Sequence, residues 1–370
     1  MPSLKSFEGP SRGGALDALR FLAAAFIVVF HFGDEAPLPL RSMHDIFNRG
    51  YLATDFFLML SGFVLAAIYG DSVLSGRVSP GQFFAKRAAR NYPAHLITLC
   101  GLVVMVLLAG ALGHTMSNPD RFRWAAIPAH LLMVHGWGFA PDTWNAPTWS
   151  ISALLVCYAG FPWVWPLVHQ LGRARTCIWA GLAILVGGDL AAHVVAGRQL
   201  FDLPFQWGLF RTIPLFLVGL TLARLVQTAH LGRSAIALAL GGAVVLAANV
   251  MLIGTDFVNI LAVCAVIVGC GGMSSGPQWP LAEWGARISF SLFFTHTLSG
   301  AAYADGLRPL LMRLHPGVPG QWAIWWGELL FAGLVAVAYH YLIDEPLQRR
   351  LRSVLFRRSP VQHLAPAQSA

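Results

Sequence analysis

Charged residues are scarce in this 370-residue sequence. They make up 11% of it, whereas hydrophobic residues make up 56%. A soluble domain normally carries about a quarter charged residues, so the composition excludes an ordinary water-soluble globule. The sequence predicts instead an integral membrane protein whose core lies within the bilayer.

Cysteine is also sparse, and no two cysteines form a CxxC pair. The five that are present lie inside or at the edge of apolar runs: Cys100, Cys157, Cys177, Cys264 and Cys270. This placement is typical of small core residues rather than of disulfides or metal ligands, so we expect no bound metal. The net charge of +8 sits in short connections and at the two ends, where membrane topology places basic residues, and we expect no nucleic-acid partner.

Long apolar runs predict an all-α, polytopic bundle of about ten transmembrane helices, because each crossing needs roughly 20 mostly apolar residues. The predicted spans are 15–33, 51–69, 94–112, 148–168, 176–196, 206–226, 234–253, 257–273, 287–304 and 322–343. A further segment, 124–139, is short for a span and contains Pro128, His130 and His135, so it either crosses or is re-entrant or interfacial.

Basic clusters decide the predicted orientation, because cytoplasmic loops carry an excess of Lys and Arg. If 124–139 does not cross, every such cluster falls on one side, which favours ten spans with both termini cytoplasmic in the inner (plasma) membrane. We expect three regions: a cytoplasmic N-terminal segment over 1–14, one transmembrane domain over 15–345 and a basic cytoplasmic tail over 346–370.

Arg20 and His31 are the polar candidates of the first span. They are eleven residues apart, so they share one helix face about 16 Å apart along the axis. Charged groups within spans are costly and are therefore functional candidates. The alternative is that Arg20 extends to the inner interface and His31 caps the outer helix end.

Asp55 lies near the start of the second span, at about the predicted depth of His31. A carboxylate there would fix the imidazole tautomer and raise its basicity. Alternatively, Asp55 is an anion favoured by the helix dipole. Ser61 and Gly62, further along this span, also fit a close-packing site between helices.

Arg87 and Arg90 follow the second span at i and i+3, so on a helix they point the same way. Two guanidinium groups on one face form a fork that suits phosphates. The alternative is an anchor that contacts lipid headgroups.

Six motifs in order resemble the type 3 acyltransferase family of membrane O-acyltransferases. They are the Arg20 and His31 pair, the Gly-x4-Asp-Phe-Phe-x3-Ser-Gly-Phe block over 50–63, Arg-x-x-Arg-x-x-Pro over 87–93, Trp-Ser-Ile-Ser over 149–152, the 284–296 block with His296, and Asp344-Glu345-Pro346. The resemblance runs from about residue 14 to about residue 350.

This resemblance implies transfer of an acyl group, usually acetyl, from cytoplasmic acyl-CoA to a hydroxyl of a cell-surface or exopolysaccharide sugar or a lipid-linked sugar. It implies that His31 is catalytic, with Asp55 as its expected partner, and that Arg87 and Arg90, together with Arg20, bind acyl-CoA. Both a direct transfer and a route through an acyl-enzyme on Ser61 or His31 remain open. A secondary transporter of a sugar or lipid-linked precursor is the alternative function.

The remaining candidates would line the substrate path. Arg211 lies within a span, His296 near the middle of another, and Trp149 and Asp344 within family motifs. His296 is as well explained by a hydrogen bond to a neighbouring carbonyl group, and Trp149 by packing. The alternative for Arg211 is a structural ion pair. The chain departs from the family pattern where relatives often carry a glutamate, since Ala153, Leu154 and Leu155 are apolar.

Overall fold

The computed structural model describes residues 14–139, 143–273 and 279–355, and these contain helices and no strands. The α-helices are α1 Ala15–Phe32, α2 Leu40–Met43, α3 Tyr51–Leu74, α4 Pro80–Ala111, α5 Ile127–Leu131, α6 Trp149–His169, α7 Ala174–Ala196, α8 Gly208–Thr228, α9 Ser234–Met251, α10 Asp256–Gly272, α11 Pro280–Ala302, α12 Arg308–Met312, α13 Val318–Tyr339 and α14 Glu345–Leu355. The predicted N-terminal segment and the end of the predicted tail lie outside the described residues.

Eight helical stretches in the described part of the chain are long and apolar enough to cross a membrane. They are Ala15–Glu35, Tyr51–Leu74, Pro80–Ala111, Ala146–His169, Ala174–Ala196, Phe205–Thr228, Ser234–Met251 and Val318–Val354. Each of the ten predicted windows overlaps a helix, but α10 has only 17 residues and α11 carries several polar side chains. The prediction of a polytopic all-α membrane protein is confirmed, with ten as an approximate count.

The segment 124–139 contains no described helix long enough to cross a bilayer. Its α-helix, α5, has five residues. After α5 ends, left-handed backbone at Met133 and Gly138 prevents a continuous helix in this segment. Five residues extend less than 10 Å, far short of a hydrocarbon core of about 30 Å.

Helix α4 is longer than its predicted span, which began at residue 94. It starts at Pro80, where the Ser79 hydroxyl and the Gln82 side chain form a capping box, and it continues through Pro93 to Ala111. Its 32 residues extend about 48 Å, so the arginine motif over 87–93 and the apolar run that follows it belong to one continuous helix.

Two apolar clusters build most of the core. The larger joins buried side chains of α3, α6, α7, α8 and α10, and the smaller joins those of α1, α11 and α13. Helices α3 and α8 approach closely because Gly62 faces the Phe216 carbonyl group and Gly219 faces that of Met59. Gly62 thus belongs to a close helix crossing, as one interpretation of the sequence proposed.

Candidate functional site

A cavity of about 670 Å³ lies among α1, α3, α4, α6, α11 and the start of α14. One part of its wall is rich in charge, with six arginines and four acidic residues: Arg20, Arg87, Arg90, Arg287, Arg349, Arg352, Asp17, Glu283, Asp344 and Glu345. The excess of arginine favours an anionic ligand. We call this part of the cavity the arginine end.

Apolar and hydroxyl side chains line the rest of the cavity, including Ile27, Phe57, Leu58, Ser150 and Phe293. The cavity is therefore polar where arginines gather and mostly apolar further along. A ligand that is anionic at one end and apolar at the other matches this gradient.

Arg87 and Arg90 both line the arginine end, as their i, i+3 spacing predicts. Arg87 donates a hydrogen bond to the Tyr69 hydroxyl at 2.8 Å, and its buried Nε has no hydrogen-bond partner. Arg90 donates to Asp344 at 2.7 Å and lies over the Phe290 ring. Arg90 is thus held in place by Asp344, whereas Arg87 keeps donor capacity for a ligand.

His31 and His296 stack on each other, with ring centroids 5.2 Å apart. The Nδ1 of His296 lies 2.8 Å from the Phe293 carbonyl oxygen, which only accepts, so Nδ1 carries the proton and the buried Nε2 keeps its lone pair. The side chain of His31 is exposed.

The cavity ends close to this histidine pair. Ile27 and Phe293 line the cavity, and His31 and His296 follow them by four and three residues on α1 and α11. One helical turn is about 5.4 Å, so the stacked imidazoles stand about one turn beyond the cavity.

Asp55 does not pair with His31 as we expected. Both of its carboxylate oxygens accept hydrogen bonds at 2.8 Å from Arg211 on α8, and both side chains are buried. Equal depth in the membrane does not determine rotation about the helix axis, and Asp55 faces α8 rather than α1. Arg211, expected along the substrate path, forms this internal ion pair and does not line the cavity.

The other predicted residues divide between cavity and core. Arg20 lines the cavity and pairs with Asp17 at 3.4 Å, and Asp344 lines it as the partner of Arg90. Ser61 lines it within 2.9 Å of the Tyr158 hydroxyl. Trp149 instead packs closely on Gly208, as the packing alternative proposed.

Tyr69 and Tyr158 hydrogen-bond to Arg87 and Ser61 at the cavity. Tyr69 was not predicted from the sequence, and Tyr158 was noted only as part of a family motif. A tyrosine within an apolar span gives little signal by itself. Sequence reasoning also missed a cluster formed by His95, His130 and His135, although two of these stood out in the short segment 124–139.

Comparison with known proteins agrees with the resemblance seen in the motifs. The acyltransferase 3 family, described as an acyltransferase domain, matches residues 14–344. "Acyltransferase MdmB" of Streptomyces mycarofaciens is 27% identical over 94% of this chain and 93% of its own length. "Protein 2 in picA locus" of Rhizobium radiobacter is 32% identical over 40% of this chain and 81% of its own length. No solved structure matches.

Proposed function

Because the chain belongs to the acyltransferase 3 family and is a membrane acyltransferase, we propose that it transfers an acyl group, most simply acetyl, from acyl-CoA to a sugar hydroxyl. The proposed acceptor belongs to a cell-surface or exopolysaccharide glycan or a lipid-linked sugar. The enzyme would lie in the inner (plasma) membrane with both termini and the arginine end on the cytoplasmic side, where acyl-CoA is found.

The cavity is the observation that carries this proposal. Coenzyme A carries several phosphate groups on its nucleotide and an extended, uncharged arm that ends in the thioester. The arginine end offers Arg87 and Arg90 for the phosphates, and the less polar part leads toward His31. The donor would enter from the cytoplasm with its thioester directed at the histidine pair.

His31 is the proposed general base. A neutral imidazole takes the proton from the acceptor hydroxyl while that oxygen attacks the thioester carbonyl carbon. The new C–O bond replaces the C–S bond, and the leaving thiolate receives a proton from the His31 imidazolium. The stacked His296 ring would hold His31 in position for both transfers.

The direct route requires only this base. The acyl-enzyme route would place the acyl group first on Ser61 or on His31 itself. Ser61 is a reasonable second candidate because it lines the cavity beside the Tyr158 hydroxyl.

Replacement of His31 tests the proposal. We expect His31→Ala to lower transfer of radiolabelled acetyl from acetyl-CoA to surface glycan by two to four orders of magnitude, since that is the usual cost of losing a general base. Binding of acetyl-CoA by the purified variant should remain within about threefold of that of the unaltered protein, because His31 does not line the cavity.

Mass spectrometry of surface glycans from cells with and without the protein identifies the acceptor. A glycan that loses its O-acetyl group only when the protein is absent, or when His31 is replaced, would support the proposal. If His31→Ala retains more than about a tenth of the activity, His31 is not the base. If the unaltered protein does not bind acyl-CoA, the proposed donor is wrong.

A further inference from the structure

Three buried histidines from separate parts of the chain meet beside the cavity wall. His95 lies on α4, His130 on α5 and His135 in the turn that follows. One ring nitrogen from each lies within 4.8 Å of the other two. None of the three lines the cavity. They therefore form a site that the proposed transfer does not use.

One ring nitrogen of each histidine, Nε2, has an oxygen partner. Nε2 of His95 lies 3.0 Å from the His130 carbonyl oxygen, and Nε2 of His135 lies 3.1 Å from the Thr148 hydroxyl. A carbonyl oxygen only accepts, so His95 carries its proton on Nε2. Thr148 donates its own proton to the Asn145 carbonyl oxygen at 2.6 Å, so it accepts from His135.

His130 follows the same arrangement, with Nε2 placed 3.2 Å from the Thr143 hydroxyl. A neutral imidazole with one nitrogen bonded to oxygen leaves the other as a lone-pair donor.

The three Nδ1 atoms are the ones without partners. Each is buried, and none has a hydrogen-bond partner in the structure. A buried polar atom without a hydrogen-bond partner destabilises the folded protein, so three in one place are costly unless a ligand satisfies them. Three unpartnered imidazole nitrogens in one buried cluster suit a shared electrophile better than a hydrogen-bonding substrate.

We propose that His95, His130 and His135 bind one Zn²⁺ ion through their Nδ1 atoms, with water at a fourth position. Zn²⁺ accepts three imidazoles in a tetrahedral site, and a metal-bound histidine normally donates its other ring N–H to a carbonyl or hydroxyl oxygen. In this cluster, the Nε2 atom of each histidine lies within hydrogen-bonding distance of a carbonyl or hydroxyl oxygen. Our prediction of no bound metal rested on the positions of the cysteines and did not consider these three histidines together.

Binding requires a modest rearrangement of the rings. Ligand nitrogens about 2.0–2.1 Å from a tetrahedral ion are about 3.4 Å apart, so the three nitrogens must close in from their present spread. The rings are nearly parallel, with interplanar angles of 7–15°, and must tilt so that each lone pair points at the ion. Rotation about the side-chain torsions supplies both movements.

The ion would have a structural role. It would tie α4 to His130 and His135, which lie near Asn145 in sequence, and the Asn145 side chain also donates to the Phe294 carbonyl group on α11. Thr148, which accepts from His135, is two residues before Ser150 in the cavity wall. The zinc site would therefore hold this part of the cavity wall against two helices.

Elemental analysis of the purified full-length protein tests the proposal. After expression with zinc in the medium and washing with a weak chelator, we expect about one zinc per chain by inductively coupled plasma mass spectrometry. His95→Gln, His130→Gln and His135→Gln should each lower this ratio at least fivefold. His114→Gln, at an exposed position in the turn after α4, is the matched control and should keep the ion.

X-ray absorption at the zinc edge of the unaltered protein keeps the test independent of how the variants fold. We expect about three imidazole nitrogens at 2.0–2.1 Å. A strong chelator should lower the thermal midpoint of the unaltered protein, and zinc alone should restore it. Less than a tenth of an ion per chain, an ion held without imidazole, or full occupancy in all three glutamine variants would each overturn the proposal.

Discussion

The Asp55 carboxylate and the Arg211 guanidinium form a two-bonded ion pair that connects α3 to α8 inside the protein. Arg211 also donates to the Leu203 carbonyl oxygen at 3.3 Å, so the pair fixes the start of α8 as well. Removing one member of such a pair leaves the other charge buried and unpaired. Its energetic role is therefore separable from any role in the chemistry at His31.

We expect Asp55→Asn and Arg211→Met each to destabilise the protein by about 3–5 kcal/mol, and Asp55→Leu combined with Arg211→Met to recover most of that loss. Thermal unfolding in detergent, with activity measured below the midpoint, checks this prediction. If Asp55→Asn has an unchanged midpoint but loses activity as His31→Ala does, then Asp55 acts on the histidine after all.

Helices α3 and α8 cross where two glycines leave room for backbone. A Cβ atom on Gly62 would overlap the Phe216 carbonyl oxygen, and one on Gly219 would overlap that of Met59. We expect Gly62→Ala and Gly219→Ala to cost about 1–3 kcal/mol each, the usual effect of overpacking.

Gly160→Ala is the matched control for this crossing. Gly160 lies inside α6, where an added methyl group meets no atom within 4 Å, so the change should stabilise the helix by up to about 1 kcal/mol. Thermal midpoints of the three variants would separate close packing from helix propensity. Equal behaviour of all three would mean that the α3–α8 crossing does not depend on glycine.

Helix α4 carries the proposed donor site. We expect the double replacement Arg87→Ala and Arg90→Ala to weaken acyl-CoA binding more than tenfold, or by about 1.4 kcal/mol or more. The single change Arg87→Ala should account for most of this, because Arg90 is also engaged with the buried Asp344.

Arg77→Ala provides the control for a lost surface charge, because Arg77 is not part of the cavity wall and hydrogen-bonds to Ser75. Equilibrium binding of radiolabelled acetyl-CoA measures all of these variants. If Arg77→Ala weakens acetyl-CoA binding as much as Arg87→Ala does, the arginine end acts only as a general basic surface and not as a specific site.

Sequence patterns predicted the helices better than the contacts among their side chains. Apolar runs report length and burial, so windows such as 51–69 and 176–196 fell on real helices. The i, i+3 spacing placed Arg87 and Arg90 together because that relation lies within one helix. The partner of Asp55 was missed, because spacing within one helix carries no information about its rotation against another.

The predicted orientation concerns the whole molecule. We expect Arg77→Cys and Ser353→Cys to react with a membrane-impermeant maleimide only after the cells are opened. His114→Cys, at the other end of α4, should react in intact cells. The unaltered protein, labelled in the same way, measures the background reaction of the five native cysteines. Labelling of position 77 in intact cells would invert the membrane orientation and with it the proposed entry of acyl-CoA.

Residues from the first described helix and from the last third of the sequence come together around the proposed base. The Trp325 indole donates to the Phe32 carbonyl oxygen, and Arg308 donates to Glu35, across 293 and 273 residues of sequence. His296, which stacks on His31, is likewise separated from it by most of the chain. A ribosome therefore synthesises about four-fifths of the 370 residues before His296 exists. A nascent chain halted before α11 has His31 but lacks the histidine that stacks on it.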